Sequence, residues 1–447
     1  MLTFQDLQKA TQKSQKETID FLQTAINNHK SSALYSTALV ADEYNRHLNR
    51  TIIQFQKLLY EASGQPVVDL KAANYKLRSN FFNRFVTQQN QYLLGNGAKW
   101  KEETTKDAIG QDFDTQLQDA GEKALVHGVS FGFWDMNHIT VFSLLEFVPF
   151  WDEETGALRA GVRFWQIDSE HPMRATLYEE DGFTEYIWRK GEDGEELAPK
   201  RAYILNLEGT NADGMEIQDG KNYPGFPIVP LWGNKYHQSE FIGMRENIDC
   251  YDLIKSGFAS DIDEAQEIYW IIQNAGGMDD IDRAEFLQRL KALKVANLDD
   301  DQTVEAKTVE VPHEAREKML ERLRSDLYED YMALDTKNLA SGAVTATQIE
   351  AAYEPMNEKA DKYEYCILEF IGQILKLAGI EDSPTFTRSM VVNVSESINN
   401  VIAGAQYLSQ DYVTTKILTL LGDGDQAEAV LLAMDGEDMG RFGGDDE

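Results

Sequence analysis

The chain is poor in the residues that most catalytic and metal-binding signatures need. It has two cysteines, Cys250 and Cys366, and seven scattered histidines among its 447 residues. It contains no P-loop, no glycine motif for dinucleotides, no paired C-x-x-C and no H-E-x-x-H sequence. These absences disfavour ATPases, zinc hydrolases and redox enzymes, so we expect no catalytic residue, no metal and no cofactor.

Positive charge and long apolar runs are also scarce. The chain has 42 Lys and Arg residues against 76 Asp and Glu, a formal net charge of −34. A protein that grips the DNA backbone gathers Lys and Arg, so this charge disfavours such binding. The negative net charge fits either a soluble protein whose copies repel one another or a protein along which DNA moves without binding. Neither end carries an apolar run that could cross a bilayer, so we expect a soluble intracellular protein without membrane contact.

The chain does contain a large helical share and one sheet region. Apolar residues recur at helical spacing over 18–60 and again from Tyr75 to the glycines at 95–97, and a helix is also predicted from Asp112 to His127. After Gly128, β-branched and aromatic segments alternate with glycine turns, which predicts an antiparallel sheet over 128–210. The predicted fold class is therefore α+β and mainly helical.

Two long helices around an insert are predicted after the prolines of residues 223–230. Apolar spacing predicts one helix over 239–270 and another from His313 to about Leu334. The insert is expected to hold a short helix over 281–294 and a hairpin over 295–312. This order predicts a stalk that carries a compact tip.

A polar segment and a further long helix follow. Residues 335–344 are small, polar and glycine-containing, which predicts a loop. A T-x-x-Q sequence then opens a helix that reaches Ala378 and ends at Gly379. Pro355 lies inside this helix and predicts a kink, because proline deletes a backbone donor and clashes with the preceding turn.

Clustered carboxylates leave two chemical alternatives open. Asp279-Asp280 and the run from Asp299 to Asp301 could hold a hard cation, although neither matches an EF-hand loop and solvated turns are commoner. Carboxylates of the 128–210 sheet could serve an acidic hydrolase, although nothing places two of them at a working separation. We therefore favour a protein that is not an enzyme.

Three stretches resemble the portal proteins of tailed bacteriophages, in the family typified by a Bacillus phage portal. Residues 75–97, YKLRSNFFNRFVTQQNQYLLGNG, are similar to the family's N-terminal helix and its Tyr-Leu-Leu-Gly turn. Residues 223–267 carry a proline-bounded strand, an Asn-Lys turn and a long helix with Ile-Asp-x-Tyr-Asp. Residues 340–356, ASGAVTATQIEAAYEPM, look like the family's Ser-Gly loop and kinked helix.

The resemblance implies a ring of about twelve subunits around a channel for double-stranded DNA. It implies a virion protein at the capsid vertex that is assembled in the host cytoplasm. Its partners would be the terminase large subunit, a head-completion adaptor, and the major capsid and scaffold proteins. An adaptor or scaffold, also acidic and helical, is the alternative. The implied regions are a wing over 1–238 and 345–379, a stem over 239–270 and 313–335, a clip over 271–312, a tunnel loop over 336–344, and a crown with an acidic tail over 380–447.

The resemblance also implies roles for particular residues. Acidic residues of the first stem helix would line the channel and reduce the friction of DNA by charge repulsion. These are Asp261, Asp263, Glu264 and Glu267. The tunnel loop would meet DNA through Thr336, Lys337, Asn338, Leu339, Ala340, Ser341, Gly342 and Ala343. The clip would bind partners through Asp279, Asp280, Arg283, Asp299, Asp300 and Asp301.

Overall fold

The chain folds into two compact units that both contain helices and antiparallel strands. The first unit comprises residues 1–38, 85–239 and 332–447, and the second unit comprises 39–84 and 240–331. Both units fit the predicted α+β class. The computed structural model describes residues 2–60, 64–70, 72–210, 216–264, 269–273, 303–307, 313–339, 346–389, 394–421, 427 and 430–432.

Along the sequence, helices both precede and follow the sheet region, as the apolar spacing predicts. Within the described residues they run from the N-terminal segment to residue 421. They are α1 (Phe4–Thr11), α2 (Gln15–Lys30), α3 (Ala33–Asn45), α4 (Arg50–Gln54), α5 (Phe81–Leu94), α6 (Glu103–Ile109), α7 (Phe113–His127), α8 (Arg245–Glu264), α9 (His313–Tyr331), α10 (Thr336–Leu339), α11 (Ala346–Ala378), α12 (Val394–Gly404) and α13 (Gln410–Leu421).

Strands cluster between residues 129 and 232, and a few short pairs lie outside that range. All the pairings are antiparallel. The strands are β1 (Leu58–Tyr60), β2 (Pro66–Val68), β3 (Ala98–Lys99), β4 (Val129–Asp135), β5 (His138–Ser143), β6 (Phe147–Trp151), β7 (Leu158–Trp165), β8 (Met173–Glu179), β9 (Gly182–Trp188), β10 (Glu195–Arg201), β11 (Ile204–Thr210), β12 (Glu216–Lys221), β13 (Ile228–Trp232), β14 (Tyr269–Gln273), β15 (Thr303–Lys307) and β16 (Thr385–Phe386).

Two antiparallel sheets form the centre of the first unit and confirm the predicted sheet region. One has the strand order β10-β9-β8-β7-β6, and the other has the order β13-β4-β5. Apolar residues of α1 and α2, including Leu7, Leu22 and Ile26, pack on the larger sheet. Rings such as Phe131, Phe142 and Phe147 form a second core with the smaller sheet. Burial of these side chains stabilises the unit by roughly 1.5–3 kcal/mol for each large apolar group.

The long helix α11 packs on the smaller sheet of the first unit. A Cβ on Gly132 of β4 would lie 2.5 Å from the ring of Phe370, so only glycine leaves room for that ring. The helix ends as predicted at Gly379, whose φ of 71° favours glycine. The N–H groups of Ile380 and Gly379 donate to the carbonyls of Leu375 and Lys376, the pairing of a Schellman cap.

Several predicted bounds are wrong in the N-terminal third of the chain. The helical spacing predicted through Tyr60 ends at Gln54, and Leu58–Tyr60 is a strand because its residues pair with Pro66–Val68. The helix predicted from Tyr75 begins only at Phe81. Its first residues are extended instead, because their backbone N–H groups bond to side chains of α8.

The stalk and tip predictions also need correction. The first stalk helix spans Arg245–Glu264 rather than 239–270, and Tyr269–Gln273 forms β14. This β-branched and aromatic stretch pairs with Thr303–Lys307, so the partner of that strand lies outside the hairpin predicted over 295–312. The second stalk helix ends at Tyr331 rather than at residue 335.

The predicted loop over 335–344 begins with one helical turn. Thr336–Leu339 is helical, and the backbone N–H of Lys337 donates to the Asp335 carboxylate at 3.1 Å. Such a bond from an aspartate to a nearby N–H favours a turn. Pro355 lies inside α11, which continues on both sides of it. The kink at this proline stays a prediction.

Candidate functional site

The candidate site is built on α8 and α9, which run antiparallel within the second unit. The Asn247 side chain near the start of α8 donates to Asp330 near the end of α9 at 3.3 Å. At the opposite ends, Asp261 forms an ion pair with Arg316. In the sequence β14 follows α8 and β15 precedes α9, and these two strands pair with each other. The second unit therefore contains an antiparallel helix pair and a pair of strands, and the stalk with a tip stays a prediction.

The buried face of α8 is unusually polar. Ile248, Asp252, Ser256 and Ser260 are four residues apart, which places them on one face of the helix, and all four are buried. Three of the four carry oxygen atoms that can accept a hydrogen bond. A buried oxygen needs a partner, because burial without one costs free energy.

The extended segment 74–80 supplies these partners. The backbone N–H of Ser79 donates to Asp252 at 2.8 Å. The N–H of Leu77 donates to the Ser256 hydroxyl at 3.0 Å, and the N–H of Tyr75 donates to the Ser260 hydroxyl at 3.1 Å. We call this set of three bonds the ladder.

Helix and strand geometry explain why the ladder stays in register. Four residues of an α-helix rise about 6 Å. Two residues of extended chain rise about 6.6 Å. Every second N–H of segment 74–80 therefore meets every fourth side chain of α8.

The Ile-Asp-x-Tyr-Asp sequence of α8 also binds the segment before the hairpin β1-β2. Asp249 accepts hydrogen bonds from the hydroxyls of Tyr44 and Thr51, the latter at 2.7 Å. Asp252 accepts one from the Asn49 amide as well as from Ser79. Burial raises the pKa of the Asp252 carboxyl, and the bonds from Asn49 and Ser79 partly offset this effect. Both aspartates of the motif therefore fix local structure.

The acidic residues predicted to line a channel have different surroundings. Asp261 is ion-paired with Arg316 and lies 4.0 Å from the Lys57 ammonium group, so neighbours in its own unit already partner it. Asp263 is exposed and accepts a bond from the Tyr75 hydroxyl at 3.4 Å. Glu264 is the last residue of α8, and Glu267 lies outside the described residues.

The remaining predicted site residues are only partly described. Thr336 and Lys337 are exposed and lie in α10, together with Asn338 and Leu339. The rest of the predicted tunnel loop, Ala340, Ser341, Gly342 and Ala343, lies outside the described residues, as do all six clip candidates, Asp279, Asp280, Arg283, Asp299, Asp300 and Asp301.

The helix that holds Pro355 is anchored on both sides of the proline within the first unit. Tyr92 of α5 stacks on Tyr353 with ring centroids 5.7 Å apart, and its hydroxyl bonds to Asn357. Arg388 bonds to Asn357 and to the carboxylates of Asp361 and Glu364. These contacts fix α11 on both sides of residue 355.

Sequence reasoning missed the hairpin β1-β2 as a surface feature. Its two short apolar runs, LLY and PVV, include the β-forming residues Tyr60, Val67 and Val68, and Pro66 at the start of the second run is a signal against one continuous helix. Helical spacing alone had extended α4 across the first run.

Within the described residues, no cluster of His, Cys, Asp and Glu side chains suited to a metal ion is found. The helices of that part of the chain include none long and apolar enough to span a membrane.

Comparison with known proteins identifies the family. The family model described as "Phage portal protein, SPP1 Gp6-like" matches residues 5–420. The chain belongs to this portal family. The match covers the segments in which the sequence resembles portal proteins, so the predicted family is confirmed. The family's members are structural components of the virion.

Two curated relatives are described as portal proteins. The portal protein of Bacillus phage SPP1 is 23% identical over 383 residues, which cover 78% of this chain and 74% of that protein. The portal protein of Clostridium phage phiCD119 is 30% identical over 200 residues, which cover 41% of this chain and 43% of that protein.

Two solved structures are also similar. One is a chain from the neck of an empty gene transfer agent particle, with 10% identity and a TM-score of 0.43 over 76% of this chain and 90% of that one. The other is a chain from the virion of the native gene transfer agent particle, with the same identity and TM-score over 76% of this chain and 89% of that one.

Proposed function

We propose that this chain is one subunit of the portal ring at the capsid vertex, through which double-stranded DNA enters and leaves the capsid. The family match over residues 5–420 carries this proposal. The antiparallel α8-α9 pair supports it, because a channel needs a rigid wall element that each subunit repeats around the axis. An adaptor or scaffold would share the acidic composition but is disfavoured by the family match.

We assign the regions of a portal to the observed elements, with a shorter stem than the spacing predicted. We assign the stem to α8 and α9, and the clip to residues 271–312, which begin within β14 and include β15. The wing comprises residues 1–238 with α11, the tunnel loop follows Asp335, and the crown begins after Gly379. A ring of about twelve copies remains our proposal for the assembly.

Contact with DNA is assigned to few described residues. Lys337 is the one cation between Asp335 and Val344 in the sequence, and it is exposed. Asp263 is the candidate for charge repulsion, because Asp261 is neutralised by Arg316. DNA passing Asp263 would meet like charge and slide with little adhesion, an effect that added salt screens.

The clip is proposed to dock the terminase large subunit during packaging and a head-completion adaptor afterwards. Its six charged candidates, Asp279, Asp280, Arg283, Asp299, Asp300 and Asp301, provide sites for basic and acidic partner side chains. Major capsid and scaffold proteins would surround the wing during assembly in the host cytoplasm.

A packaging assay tests this function. Procapsids assembled with and without this chain are given terminase, ATP and genomic DNA, and DNA protected from nuclease is measured. Protection that depends on the chain is the expected result. Equal protection without it would contradict the proposed function.

A further inference from the structure

One segment of the second unit lies between two stretches of chain that bond to α8. We call residues 55–74 the arm. Before it, the Thr51 hydroxyl bonds to Asp249. After it, the N–H of Tyr75 bonds to Ser260. The arm is therefore rooted at both ends on one helix, which makes its base rigid.

The arm exposes apolar side chains that a single copy of the chain leaves uncovered. Every residue of β1 and β2 is exposed. The large apolar side chains among them, and Leu70 beyond them, are 37% to 91% exposed. They are Leu58, Leu59, Tyr60, Val67, Val68 and Leu70. Apolar residues gathered in this way mark an interaction surface rather than scattered surface hydrophobics.

Within the described residues, the hairpin has no neighbouring strand. There β1 pairs only with β2, in the register Leu59 opposite Val67. A two-stranded hairpin is marginally stable by itself. A surface that covers the arm would stabilise it.

Charge indicates what that surface is. Residues 55–74 contain two Lys and two Asp or Glu, a net charge of zero in a chain of −34. Copies of so acidic a chain repel each other wherever their remaining surfaces meet. The arm adds nothing to this repulsion, since it brings apolar area without net charge to an acidic neighbour.

We propose that the arm packs against the adjacent copy of this chain in the assembled ring. The inference rests on the proposed function, because a closed ring needs a head-to-tail interface in which each subunit offers two different surfaces. DNA is a poorer occupant, since the arm exposes mainly aliphatic side chains whereas DNA binding draws on Lys and Arg. The arm is one of the two surfaces, and the acidic exterior of the next copy is the other.

Photocrosslinking from the arm tests the inference. Copies with Leu59→p-benzoylphenylalanine are mixed before assembly with ¹⁵N-labelled copies that lack the probe, and rings are irradiated. Crosslinked peptides that join unlabelled to labelled chain are the expected product. The control carries the probe at Ile167, which is 80% exposed in the first unit. Crosslinks confined to one copy, adducts to added DNA alone, or equal yields from the control would each overturn the inference.

The same samples separate this inference from the proposed function. Rings without mixed crosslinks from Leu59 would refute the arm contact and leave the portal assignment standing. Wild-type protein that forms no ring would contradict both.

A charged variant gives a second readout. Leu59→Glu with Val67→Glu places charge on opposed positions of β1 and β2, and both side chains are exposed in a single copy. The concentration at which rings form should rise by at least about tenfold, with an unchanged far-UV circular dichroism spectrum. Ile167→Glu is the matched control and should assemble normally. Unaltered assembly of the double variant would refute the contact.

Discussion

Replacement of Asp252 by alanine tests the ladder that holds segment 74–80 on α8. The Asp252 carboxylate is fully buried and accepts hydrogen bonds from the Ser79 N–H at 2.8 Å and from the Asn49 amide. Alanine leaves two buried donors without this acceptor, at about 1–3 kcal/mol each. A total of about 3 kcal/mol would favour local opening of the segment by roughly a hundredfold.

Hydrogen exchange of the backbone amides measures this opening directly. In the Asp252→Ala variant, the amides of residues 75–79 should exchange about a hundredfold faster than in the wild type. Ser256→Ala removes the acceptor of one ladder bond, about 1 kcal/mol, and should accelerate exchange about fivefold. Glu246→Ala is the control, because Glu246 is exposed on the same helix. Exchange in Asp252→Ala that matches the wild type, or that matches Glu246→Ala, would refute the ladder.

Three further predictions concern stability. Gly132→Ala places a Cβ 2.5 Å from a ring carbon of α11 and should cost about 1–3 kcal/mol in thermal unfolding, whereas Gly372→Ala, with open space around it, should not destabilise. Burial lowers the pKa of His29 from 6.5, so the wild type should lose stability as pH falls below 6.5; His29→Gln should lessen that loss in melting curves. Asp261→Lys breaks the ion pair with Arg316 and should lower the melting temperature. Asp263→Lys should leave the melting temperature unchanged and impair DNA packaging at low salt. A lower melting temperature for Asp263→Lys than for Asp261→Lys, with normal packaging by Asp263→Lys, would contradict both assignments.

The order of elements was largely predictable, because it depends on local patterns. Helical spacing located α7, and the alternation of β-branched residues with glycine turns located the sheets. Gly379 predicted the end of α11 for a local reason, since its positive φ closes the helix. The family resemblance was equally local and is confirmed by the family match.

The errors come from pairings between residues far apart in sequence. Segment 74–80 has the apolar spacing of a helix, yet its N–H groups bond to α8, more than 170 residues later. Tyr269–Gln273 continues the helical spacing of α8 but pairs with Thr303–Lys307. No local pattern specifies such partners.

The site residues show the same division. The sequence identified Asp261 as one of a row of acidic residues, and only the structure places Arg316 against it. The polar stripe of Asp252, Ser256 and Ser260 is visible as four-residue spacing. Only the structure shows that these three side chains accept hydrogen bonds from the backbone of segment 74–80.

Electron microscopy of the purified protein tests the central claim most directly. The account predicts negatively stained rings with a central hole and a protruding stalk, each made of about twelve copies. Monomers or small open assemblies, at concentrations where portal rings should form, would contradict it.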